Sequence, residues 1–185
     1  MAAFGLEECG DYARADIYGR QAVEADPRDG WAVHAVAHVN EMRGDLEAGI
    51  PWLANNAQHW APESGFAYHN WWHLALFHLD AGRYDDALAL YDASIHPGPA
   101  QLALTLLDAT ALLWRLRLEG VDVGDRFATV ADEWEARLEQ DRAFYAFNDV
   151  HAMLAFVATG RAAASERLAA NLALAAAGSG TNAAR

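Results

Sequence analysis

"YHNWWHLALFHLDAGRYDDALALYD", residues 68–92, joins a helix–turn–helix pattern to an unusual concentration of imidazole. In its second half Gly82 stands where one helix would end, and Tyr84, Ala87 and Tyr91 share a face of the next. Glycine relieves the steric cost of a left-handed helix end. A residue as small as Ala87 lets two helices approach closely, and the two tyrosines fill the gap between them. Upstream, Trp71, Leu74 and Ala75 have the spacing of a partner helix's packing face. In the first half, His69 and His73 lie one helical turn apart, beside Asn70.

The same turn recurs along the chain. Gly10, Gly44, Gly82, Gly120 and Gly160 follow one another at steps of 34, 38, 38 and 40 residues, the range of a helix-pair repeat. The order aromatic, Leu, small, Gly, aromatic, Ala, aromatic and late Pro (here Pro99) is the tetratricopeptide pattern. The reading is therefore all-α: an α-solenoid of antiparallel helix pairs, a tetratricopeptide-like right-handed superhelix of about nine helices. The spacing predicts a helix over roughly 11–25, then pairs at about 31–43 and 46–58, 67–81 and 84–95, 100–119 and 124–140, and 144–159 and 161–177. Residues 2–9 supply only the last turns of an earlier helix, so the first repeat is incomplete. We expect one repeat domain over 1–177, belonging to a longer protein, and a disordered tail at 178–185. The open N-terminal end, with Tyr12, Ile17, Tyr18 and Val23 on its helix, would suit a homo-oligomer.

Composition agrees with packed helices: apolar residues make up 54% of the 185, and proline is scarce. A net charge of −13, with no basic cluster, argues against nucleic acid and anionic membranes as partners. One cysteine, Cys9, leaves no internal disulfide framework and no multi-cysteine zinc module. The opening residues lack a secretory signal's basic and apolar regions, and "LALTLLDATALLWRLRLEG" is interrupted by Asp108, Arg115 and Arg117. A cytoplasmic setting is expected.

In a superhelix of this kind the first helix of each pair lines the concave side. There the register places His34 and His38, then His69 with Asn70 and His73, then Asp108, then Asn148, Asp149 and His151. Glu41 lies one turn from His38. Single histidines on apolar helices are usually core residues with satisfied rings, and His78 is read that way. His59 and His96 stand near helix ends, where imidazole can cap carbonyls. The pairs and His151 are read together as a ligand-binding set. His34, His38, His69 and His73 have the reach to share one divalent metal, the cofactor the pattern allows, with Glu41, Asp108 or Asp149 adding oxygen ligands or orienting the rings. The glutamate that follows the first histidine in metalloprotease helices is missing, and no nucleophile elbow or phosphate loop is present. Trp31, Trp52, Trp71, Trp114 and Trp134 are expected to pack, and "NNAQHWAPESGF" to form a loop.

The stretches "DPRDGWAVHAVAHVNEMRG", "GIPWLANNAQHW", "HNWWHLALFHLDAGRYDDALALYD", "LLDATALLWRLRLEGVDVGDRF" and "FNDVHAMLAFVATGR" resemble the tetratricopeptide repeat protein 38 family. The resemblance runs from about residue 10 to 162. It implies a soluble, cytoplasmic helical-repeat protein, and it brings no catalytic residues with it. Two functions follow from the residues: a groove that binds a small molecule or short peptide segment, or an enzyme using the same cluster for metal-assisted or His/Asp acid–base chemistry of hydrolase or lyase type. The peptide-binding grooves of ordinary tetratricopeptide proteins use Lys, Arg and Asn, and this one carries His, Asp, Trp and Tyr.

Overall fold

A computed structural model describes residues 1–141 and 145–178. Among these the protein is entirely helical, with eleven α-helices: α1 (Ala2–Glu8), α2 (Tyr12–Ala25), α3 (Gly30–Arg43), α4 (Leu46–Ala54), α5 (Ala57–Trp60), α6 (Ala67–Asp80), α7 (Tyr84–Leu90), α8 (Ala103–Leu118), α9 (Arg126–Asp141), α10 (Ala146–Thr159) and α11 (Ala162–Ala176). The count exceeds the expected nine by α1, which belongs to the incomplete first repeat, and by the single turn α5. A π-helical turn, Tyr91–Ile95, continues α7. The tail expected at 178–185 falls, beyond Gly178, outside the described residues.

All five turn glycines adopt positive φ, between 66° and 80°. The repeat step read from the sequence is thus a step between left-handed helix ends. At two of these turns the next residue is an aspartate that caps the following helix: Asp11 accepts from the Arg14 amide, and Asp45 from Ala48. Asp29, after the Asp26-Pro27-Arg28 breaker, accepts from the amides of Trp31 and Ala32. Each cap satisfies donors that a helix start leaves unpaired.

The chain forms two compact units, Met1–Ile95 and His96–Arg185, divided at the His96-Pro97-Gly98-Pro99 breaker. In the first unit α1 packs on α2 and α3, α3 on α4 and α6, α4 on α6, and α6 on α7. Val23, Val33, Ala37, Leu53, Trp60, Leu74 and Phe77 make the core between them. Gly49 lies so close to Phe77 that a β-carbon there would meet the ring at 2.5 Å. Within the segment expected as a loop, Ala57–Trp60 form the single turn α5, where Trp60 is fully buried and its indole N–H donates to the Leu53 carbonyl at 3.1 Å.

In the second unit α8 packs on α9 and α10, and α10 on α9 and α11. Leu106, Leu112, Leu113, Leu116, Val130, Trp134 and Phe156 are buried there. Trp134 Nε1 donates to Thr110 Oγ1 at 2.9 Å, and that hydroxyl donates to the Leu106 carbonyl at 2.7 Å. No described helix is long and apolar enough to cross a membrane.

Candidate metal centre

Helices α3 and α6 are first members of successive pairs, and they pack directly on each other. Each carries two histidines at i, i+4, so each offers two rings on one face. Asn70, buried on α6, ties the two helices together by donating from Nδ2 to the Gly30 carbonyl at the start of α3, at 3.1 Å. This crossing brings all four rings into one cluster. Ring centroids of His34 lie 4.2 Å from His38, 4.9 Å from His69 and 4.8 Å from His73. His73 lies 4.6 Å from His38 and 4.9 Å from His69. One donor nitrogen from each ring falls within 4.8 Å of the other three.

The closest approach is between the Nε2 atoms of His34 and His69, 3.1 Å apart. Two nitrogens bound to one tetrahedral ion at bond lengths of 2.0–2.1 Å would stand about 3.3 Å apart. The cluster is interior rather than groove-like: His34 and His73 are 3% and 2% exposed, while His38 and His69 are half-buried. Nε2 of His73 and Nδ1 of His34 are buried with no hydrogen-bond partner. Buried polar atoms are normally paired, so two orphaned lone-pair donors in one cluster call for an explanation.

Two carboxylates stand behind the rings. Glu41 Oε2 accepts from His73 Nδ1 at 2.9 Å, which leaves Nε2 of that ring as the free donor. Glu7 Oε2, on α1, faces His38 Nδ1 at 3.4 Å. A carboxylate behind a histidine fixes the ring's tautomer and orientation for a metal on its other nitrogen. Burial pushes the pKa of His34 far below the ordinary range, and the positive charge that His73, His38 and His69 would carry adds to this. His73 is lowered for the same reasons, burial first and then His38 and His69. Both rings are therefore neutral at ordinary pH, the form that binds metal. Burial also raises the Glu7 carboxyl, against the opposing pull of His38.

Aromatic side chains wall the cluster. Trp72 stacks on His69 at 5.3 Å, and Phe4 on His34 at 5.6 Å. Trp31, expected as a packing residue, is 46% exposed and stacks on Phe66 at 4.2 Å beside His34.

The remaining expected site residues belong to the second unit, and the four-histidine set is complete without them. His151 Nδ1 donates to the Phe147 carbonyl of its own helix at 2.8 Å. Burial lowers its pKa, with smaller effects from that hydrogen bond, Arg115 and Asp108. Asp108 and Asp149 are buried, and Asn148 is half-buried. Asn70 serves the helix crossing through Nδ2, and its Oδ1 is buried without a hydrogen bond. His96 Nε2 lies 2.9 Å from Glu133 Oε1, and the other oxygen of Glu133 accepts from the Ala100 amide at 2.7 Å. His78 lies 3.5 Å from Asp86.

Reading the sequence missed Glu7. A signal was present, since Glu7 and Glu41 each stand three residues before a turn glycine, Gly10 and Gly44. The repeat register that located the histidines locates this carboxylate too. No protein-family model matches the chain.

Proposed function

We propose that this is a metal-binding helical-repeat protein whose first unit holds a first-row divalent ion, zinc being the reference case, on His34, His38, His69 and His73. One observation carries the reading: four imidazole donors from two helices lie within 4.8 Å of one another, with His73 Nε2 buried and unpartnered. Neutral imidazoles suit zinc, copper, nickel or iron, and disfavour magnesium and calcium, which seek oxygen. The resemblance to the tetratricopeptide repeat protein 38 family supports placing the protein there, and a cytoplasmic setting goes with that placement.

Such an ion would keep its full positive charge, because no thiolate neutralises it. Four imidazoles fill a tetrahedral shell, so the enzyme reading, in which a Lewis acid polarises a bound oxygen, needs a fifth coordination position or one ring to give way. A small molecule or short peptide segment would approach the half-buried rings of His38 and His69, with Trp31 and Phe66 as the nearby aromatic surface. Asp108, Asn148, Asp149 and His151 have no part in this reading.

The test is elemental analysis of the purified protein, followed by zinc titration of the metal-free protein against a chromophoric chelator. Retention of a first-row ion, with micromolar or tighter zinc binding, is expected. A protein that comes without metal and ignores added zinc would overturn the proposal.

A further inference from the structure

We propose a second metal position next to the first, built from Glu7, Glu8 and His38. It rests on the four-histidine reading, because His38 belongs to both sets. One donor atom from each of the three residues falls within 4.8 Å of the other two. Glu7 and Glu8 are consecutive at the end of α1, and α1 packs directly on α3, which carries His38. An acidic pair at a helix end is not itself a site. Here a second observation points inward: Glu7 is only 6% exposed, and its buried Oε2 faces His38 Nδ1 across 3.4 Å, too long for a strong hydrogen bond.

The chemistry of the shared ring explains the arrangement. Imidazole has two nitrogens on opposite sides, and His38 turns Nδ1 toward Glu7 while its ring lies against His34 and His73. With Nε2 on the first ion, Nδ1 still carries a proton. Binding a second ion breaks that N–H bond, releases the proton to solvent and forms a nitrogen–metal bond, so that the ring bridges both ions as imidazolate. Two carboxylates and a share of the imidazolate bring negative charge to the second position, where the first receives only its share of that imidazolate. The second position therefore takes the harder divalent ions more readily than the first, with Mn²⁺ and Fe²⁺ gaining relative to Cu²⁺. Glu7 thereby changes from the carboxylate behind His38 into a direct ligand. Glu41 remains behind His73.

Zinc titration of the full metal-free chain tests this, with bound ions counted per chain and protons released followed by a pH indicator. Two zinc ions are expected for the wild type. The double variant Glu7→Gln, Glu8→Gln should bind one, with that remaining step weakened about 10–100-fold because Glu7 also stands behind His38. Should the buried Glu7→Gln change disturb folding, exposed Glu8→Gln alone should weaken only the second step, by tenfold or more. One ion in both wild type and variants would overturn the second position and leave the first standing. Two ions in the double variant, or none, would also overturn it. No zinc on the wild type would remove both proposals together.

Discussion

Glu41 on α3 and His73 on α6 are joined by a 2.9 Å hydrogen bond, and His73 is buried at the end of it. The bond holds the proton on Nδ1 and turns Nε2 toward the other three rings. Replacing Glu41 with Gln keeps the shape and loses the charge that holds the ring. Zinc affinity should fall about 10–100-fold with the number of ions unchanged. An unaltered affinity in a competition titration would show that the carboxylate does not orient the ligand.

His73→Ala should abolish zinc binding at the four-histidine set and also cost stability. A ring lining an open groove would carry little of the core, and the sequence alone suggests that. The structure instead buries His73, so the truncation leaves a hole and breaks the bond to Glu41. A loss of roughly 1–3 kcal/mol is expected in urea unfolding of the metal-free protein. His69→Ala, at a half-buried ring, should lose zinc at less cost to the fold. Equal stability losses in the two variants would contradict this ordering.

Acid should unfold the metal-free protein earlier than its carboxylates alone require. His34 and His73 are neutral in the folded state, with pKa values held below the ordinary 6.5 by burial. Below that pH the unfolded chain binds protons that the folded chain refuses. Stability is therefore fully present above pH 6.5 and falls as the pH drops, by up to roughly 1.4 kcal/mol per unit for each histidine. Urea melts between pH 7 and 5 in the presence of a chelator measure it. A flat profile would mean that the two rings are accessible to protons in the folded state.

Gly49→Ala should destabilise the first unit by about 1–3 kcal/mol, because the new methyl group meets the buried Phe77 ring. Thermal unfolding followed by circular dichroism checks this. A neutral result would show that α4 and α6 separate easily.

Much of the architecture was legible because the turn is written in single residues. A glycine that must take positive φ leaves a mark that does not depend on the rest of the fold, and the five marks gave the repeat. Two histidines at i, i+4 on α3 and two on α6 were legible for the same local reason. The single turn α5 was not, since what holds it is Trp60 reaching into the core, a tertiary effect without local pattern. Glu7 was overlooked because α1 looked like a remnant rather than a contributor. His151 shares a repeat position with His73, but equal register does not give equal surroundings: its ring nitrogen is satisfied by its own helix.

The donors of the first position lie between residues 34 and 73, and those proposed for the second reach back only to Glu7. All of them precede Ile95, where the first compact unit ends. Synthesis runs from the N-terminus, and compact units tend to fold in that order. The nascent chain therefore displays every ligand before most of its second unit has been translated. Once the exit tunnel has released His73, the four histidines of the proposed first position are all outside the ribosome, so an ion held there would enter while the protein is still being made.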